Sequence, residues 1–145
     1  MPTLEFLVYG RPVPQGSKRW LPNRRMVEDN PRLPAWRSAV MDAAVLAARD
    51  AELPGALTTP VWLEATFCFQ RPRSHYGTGR NAGTVKPSAP GQYHAQKPDG
   101  DKLTRALFDA LTVAGVVRDD SLIASCQWVK WWGETDYMAV ELWTS

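Results

Sequence analysis

The sequence is poor in metal-ligating and cross-linking residues. It holds two cysteines, Cys68 and Cys126, and two histidines, His75 and His94, in 145 residues. Neither pair has ligand spacing, so nothing here predicts a zinc site. The cysteines supply no disulfide framework and read as buried free thiols in a reducing compartment. No apolar run approaches the roughly 20 residues needed to span a bilayer. The start, MPTLEFLVYG, lacks a positive region ahead of a long apolar stretch, so no secretory leader is expected. No internal repeat and no linker is visible, so residues 1–145 read as a single domain. The segment Gln15-Gly16-Ser17-Lys18 gathers backbone amides, a hydroxyl and an ammonium, which suits a phosphate contact. It lacks the spacing of a nucleotide-binding loop, and no nucleotide cofactor is expected.

Acidic residues are missing from two long stretches. None lies between Glu5 and Glu28, where Arg11, Lys18, Arg19, Arg24 and Arg25 fall. None lies between Glu64 and Asp99, where Arg71, Arg73, Arg80, Lys86 and Lys97 fall. The net charge is only +2, so the distribution carries the message. Two basic segments around an acidic centre form a surface suited to phosphates.

Leu4 to Tyr9 reads as a strand ended by Gly10. A Pro- and Gly-punctuated loop follows. Pro34 to about Glu52 reads as a helix whose stripe is Trp36, Val40, Ala43, Ala44 and Ala47. Val61 to Gln70 alternates as a second strand, with Glu64 on its polar side. Arg71 to Gln96 has no periodicity and reads as a long basic loop, mobile when free and ordered on DNA. Tyr76 and Tyr93 in it can stack on exposed bases, and His94 is a candidate phosphate contact. Near the C-terminus, Leu122 to Trp132 and Tyr137 to Trp143 read as strands joined in a hairpin by Gly133-Glu134-Thr135-Asp136. Four of the seven tryptophans (Trp128, Trp131, Trp132 and Trp143) fall there, suited to core packing or a dimer contact. The expected fold is α/β (α+β): one mixed four-stranded sheet with two helices, in the order β-α-β-(long basic loop)-α-β-β.

The chemistry concentrates in KPDGDKLTRALFDALTVAGVVRDD, Lys97 to Asp120. Leu103, Ala106, Leu107, Ala110, Leu111 and Ala114 form one helical stripe. Asp101 is a candidate N-cap and Gly115 a candidate left-handed C-terminal residue. Arg105 has helical spacing to pair with Asp101 or Asp109. Asp99 and Asp101 open the segment, and Asp119 and Asp120 close it. Like charges held close repel, and a divalent cation with its need for hard oxygen ligands cancels that repulsion. Only one residue of the closing pair is expected to reach a metal, because successive side chains entering a strand point opposite ways.

This stretch resembles the core motif of the RusA family of Holliday-junction resolvases, KPD-x-D-N-L-x-K-x-x-x-D-A-L followed by a DD pair. GRPVPQGSK near the N-terminus resembles the family's first loop. The resemblance implies a RusA-like fold and a homodimer acting on branched DNA. It implies Mg²⁺, with Mn²⁺ as substitute, bound by Asp99, Asp101 and Asp120, which also carry the hydrolysis. Arg105 falls where the family has a catalytic lysine, and Lys102 where it has asparagine. Arginine keeps the charge but lends no proton. The cations expected on DNA are Lys18, Arg19, Arg71, Arg73, Arg80, Lys86, Lys97 and Lys102, with His94. Such small resolvases are carried by phages and prophages, so a cytoplasmic setting in a bacterial or phage-infected cell is expected. Two other readings stay open: a non-catalytic junction- or fork-binding protein, and a nuclease acting on flaps or forks.

Overall fold

A computed structural model describes residues 1–16, 18–28 and 30–145; the side chains of residues 17–20 and 26–29 lie outside that description. The elements are β1 (Leu4–Tyr9), β2 (Lys18–Trp20), β3 (Met26–Glu28), α1 (Leu33–Asp50), β4 (Val61–Gln70), α2 (Gly100–Val113), β5 (Ile123–Gly133) and β6 (Tyr137–Thr144). Four strands form a mixed sheet in the order β1-β6-β4-β5, with only the β4–β5 pair parallel. The expected α+β architecture of one four-stranded sheet and two helices is what the chain adopts.

Both helices lie on one face of this sheet, α1 against β1 and α2 against β5, and they touch each other. The strand side chains facing them (Leu63, Ala65, Phe67 and Phe69 of β4, Val140 and Leu142 of β6) are buried with Val40, Leu103, Leu107 and Leu111. The stripe that predicts α2 is its buried face, Leu103, Ala106, Leu107, Ala110 and Leu111. Glu64 is exposed, on the side of β4 away from the helices.

Three expectations are corrected. The last two strands form no hairpin, because β4 lies between them and bonds to both. Its apolar alternation makes it the better central strand, and the short link between Gly133 and Tyr137 arches over its end. Two sheet spacings amount to about 9.6 Å, within reach of four peptide steps. The arch is closed by Gln70 N donating to Asp136 Oδ1 at 2.7 Å and Arg71 N donating to the Gly133 carbonyl at 3.0 Å. Second, the N-terminal loop contains the small hairpin β2–β3. Its turn holds Arg24 at φ 62°. Third, Asp99 and not Asp101 is the N-cap of α2, while Asp101 lies in the first turn, where the helix dipole favours a carboxylate. Gly115 ends the helix at φ 74°, as expected.

The segment from Arg71 to Gln96 holds more structure than its lack of periodicity suggests. Gly77 N donates to the Thr84 carbonyl and Lys86 N to that of His75. His94 N and Trp132 N tie it to β5 through the carbonyls of Lys130 and Gln92.

Candidate active site

The acidic centre is built at the turn leading into α2. This turn is held from below by Lys130 of β5, whose Nζ donates to the carbonyls of Gln96 at 2.6 Å and Pro98 at 2.8 Å. Burial pushes the Lys130 ammonium below the ordinary lysine value, and the charge of Asp99 works against that fall. A second contact fixes the same turn: the Trp128 ring lies where a side chain on Gly100 would have to go.

Asp99 and Asp101 are both exposed, on either side of Gly100. Asp99 makes no side-chain capping bond, so the helix does not occupy its carboxylate. It sits 3.9 Å from Lys102. That ion pair is half-exposed and contributes little to stability. Asp120 begins the 3₁₀ turn Asp120–Leu122, which touches α2. Its neighbour Asp119 is a turn residue, with Oδ1 accepting from Ser121 N at 2.8 Å. That amide holds the Asp119 carboxyl below its ordinary value. Asp120 is exposed beside it.

The fold thus brings Asp99 and Asp101 into one helical turn and Asp120 onto an element touching the same helix. Among the described residues no three acidic, histidine or cysteine side chains form a group that could hold a metal ion. The donor chemistry, exposed carboxylates beside cations, fits a hard divalent ion that keeps several of its waters. It does not form a closed protein cage.

Arg105 is exposed, and Asp109 pairs with Arg37 of α1 at 2.9 Å rather than with it. Lys97 and Lys102 line one pocket with Asp99. Arg73, Arg80 and Lys86 are exposed along the long loop. The side chains of Lys18 and Arg19 lie outside the described residues.

Two of the residues expected on DNA have partners within the protein. Arg71 holds the long loop: its guanidinium donates to the carbonyls of Pro90 at 2.7 Å and Gly91 at 3.0 Å and lies over the Trp132 ring. His94 is 2% exposed and cannot meet a phosphate where it lies. It stacks on Phe69 at 4.2 Å and tilts against Trp132 at 4.4 Å. Neither ring nitrogen has a hydrogen-bond partner among the described residues. Tyr93 is exposed and stacks on Trp131 at 4.7 Å, leaving one ring face outward.

Burial first, then Lys130 and Arg11, push the His94 imidazole below the ordinary value of 6.5. With the folded value depressed, the unfolded chain binds more protons once the pH drops below about 6.5. His94 therefore weakens the fold as pH falls from there toward its folded-state value, and has no such effect above. The melting temperature of His94→Leu is expected to fall less than that of wild type between about pH 7.5 and pH 5. Equal falls would place the proton-sensitive groups elsewhere.

Sequence reasoning overlooked Lys130. The available signal was a lone charge inside the aromatic run Trp128-Val129-Lys130-Trp131-Trp132. A buried-stem lysine there needs carbonyl partners. Lys130→Met keeps the stem and removes the donors. Loss of the bonds to Gln96 and Pro98 is expected to loosen the turn and lower the melting temperature by several degrees. An unchanged melting temperature would show that the turn holds without Lys130.

No helix among the described residues is long and apolar enough to cross a membrane. The family model for endodeoxyribonuclease RusA matches residues 9–142. A domain with exposed aspartates at one helix entry and cations around them thereby falls in the class of endodeoxyribonucleases. The match runs from the last residue of β1 through both helices, β4, β5 and most of β6, and the chain belongs to the RusA family, whose substrates are branched DNA junctions. A search of curated proteins returns no match.

Proposed function

We propose that the protein is a Mg²⁺-dependent, structure-selective endonuclease that resolves four-way DNA junctions by paired phosphodiester hydrolysis. The observation that carries this reading is the pair of exposed carboxylates, Asp99 and Asp101, flanking Gly100 at the start of α2 in a chain of this family. Asp99, Asp101 and Asp120 would hold the metal, with Mn²⁺ an acceptable substitute. When bound, the ion supplies a water more easily deprotonated than bulk water and offsets charge on the phosphoryl oxygens. Arg105 binds a phosphoryl oxygen and balances developing charge; as a guanidinium it transfers no proton. Lys97 and Lys102 hold the backbone beside the cut. Arg73, Arg80 and Lys86 reach further along an arm. By the family resemblance, Lys18 and Arg19 would also contact DNA. Two strands cut symmetrically require two centres, so the working form is a twofold homodimer. Junction choice comes from backbone placement and shape more than from base edges.

A second reading, a junction-binding protein without catalysis, draws on the lack of a three-ligand group among the described residues. Arginine at position 105 favours it too. One experiment separates the two. The protein is incubated with a synthetic mobile four-way junction in Mg²⁺, Mn²⁺ or EDTA. Paired nicks with either metal and none in EDTA are expected. Tight binding with no nick under any metal would establish the second reading. A panel of flaps and forks alongside reports which branched structure is cut fastest.

A further inference from the structure

We infer that Arg11, Lys97 and Lys102 form a seat for one DNA backbone phosphate next to Asp99; its ligand follows from the nuclease reading above. A pocket of about 350 Å³ is lined by Arg11, Pro14, Gly16, Lys97, Pro98, Asp99 and Lys102. Three cationic side chains meet one carboxylate there, which selects an anion of low charge. A phosphodiester carries one negative charge and has unesterified oxygens to accept hydrogen bonds. The two prolines wall the pocket with rigid backbone that brings no N–H of its own.

Arg11 belongs to a different segment from the two lysines, and the fold fixes it to them. Gly10, at φ 134°, turns the chain off the end of β1, and its N–H donates to the Asp136 carbonyl. The Arg11 guanidinium then lies 5.1 Å from the centre of the Phe69 ring. Phe69 is fully buried and stacks in turn on His94. An arginine seated on an aromatic face keeps its planar N–H fork for an acceptor in the plane. Further along the same loop, Gln15 N donates to the Lys102 carbonyl at 3.0 Å, strapping the N-terminal loop to α2. The seat is thus assembled from both ends of one hydrogen-bonded junction. A phosphate held there lies beside the aspartate assigned to the metal. It is not the phosphate being cut but a neighbour along the strand, and it sets the register of the cut.

The test moves a single methylphosphonate, a neutral replacement for one phosphate, across the branch point of a synthetic four-way junction. Binding in EDTA and single-turnover cleavage in Mg²⁺ are measured in parallel for wild type, Arg11→Ala and Arg11→Lys. At one position the neutral linkage should weaken wild-type binding about five- to tenfold, as loss of a charge-assisted contact does. The same position should cause no further loss in Arg11→Ala, and Arg11→Lys should fall between. Losses that add at every position, or Arg11→Ala binding the unmodified junction as wild type does, overturn the seat. Coupling seen in EDTA without cleavage in any metal keeps the seat and removes the nuclease reading. Cleavage without coupling does the reverse. Arg11 is exposed, so both variants are expected to fold, and the melting temperature of Arg11→Ala should fall by only a few degrees through loss of the Phe69 contact.

Discussion

Asp101→Asn is expected to lower cleavage of a four-way junction by about 10³-fold or more, or about 4 kcal/mol of transition-state stabilisation. The substitution is nearly isosteric. It keeps an oxygen in place and removes the charge that a hard divalent ion requires. Asp101 is exposed in the first turn of α2, so the fold has little to lose. The cost to stability is the favourable charge–dipole term at a helix N-terminus, about 0.3–1 kcal/mol. Junction binding in EDTA should stay equal or become tighter, since a carboxylate that repels phosphate has gone. The combination separates a ligand from a structural cap. A cap would lower stability and leave cleavage per folded molecule unchanged. If the variant cuts within about threefold of wild type, a span of well under 1 kcal/mol, Asp101 holds no metal.

Asp99 and Asp120 should behave alike in direction, but Asp99→Asn carries a second effect. Its charge faces Lys102 and acts on Lys130, whose hydrogen bonds hold the turn. Asp101 is the cleaner probe for that reason.

What the sequence reveals depends on whether a feature is local. The strands Leu4–Tyr9 and Val61–Gln70 are legible to the residue, because alternation and the turn residues that bound them are properties of a few neighbours. The buried stripe of α2 and its glycine stop are legible for the same cause. Strand pairing is not local. Tyr137–Thr144 and Ile123–Gly133 look like a hairpin until β4, sixty residues upstream, competes for the place between them. Burial of a polar residue is equally hidden. His94 and Arg71 sit in a Gly- and Pro-rich basic segment that reads as solvated, and only the aromatic wall of Phe69 and Trp132 shows otherwise. Lys130 has the opposite history: its surroundings in the sequence are apolar, and its partners are carbonyls more than thirty residues away. The aspartates were found because a spaced acidic motif is local. Their placement relative to one another is not local, because it depends on how α2 and the turn after it settle together.

Gly100→Ala is expected to disable the enzyme without unfolding it. Helix propensity alone says the reverse, since alanine is favoured over glycine inside a helix by about 1 kcal/mol. Here the added methyl would fall within the ring of Trp128, an indole on the neighbouring strand, so one of the two must move. Trp128 is 45% exposed and can yield toward solvent at the loss of some contact. Otherwise the turn lifts from β5, which strains the bonds from Lys130 to Gln96 and Pro98. Overpacking of this kind costs about 1–3 kcal/mol, and the melting temperature should fall by several degrees. Because Asp99 and Asp101 flank Gly100, lifting of the turn displaces them, and cleavage should then fall about 10²-fold. The double variant Gly100→Ala, Trp128→Ala gives the methyl room and should regain activity relative to Gly100→Ala, although Trp128→Ala alone loses packing. Such compensation is the mark of a steric contact between two sites and does not arise from independent losses. A Gly100→Ala protein that melts above wild type and cuts as fast would mean that the indole does not cover the turn. The close packing of α2 on β5 at this point would then have no part in placing the carboxylates.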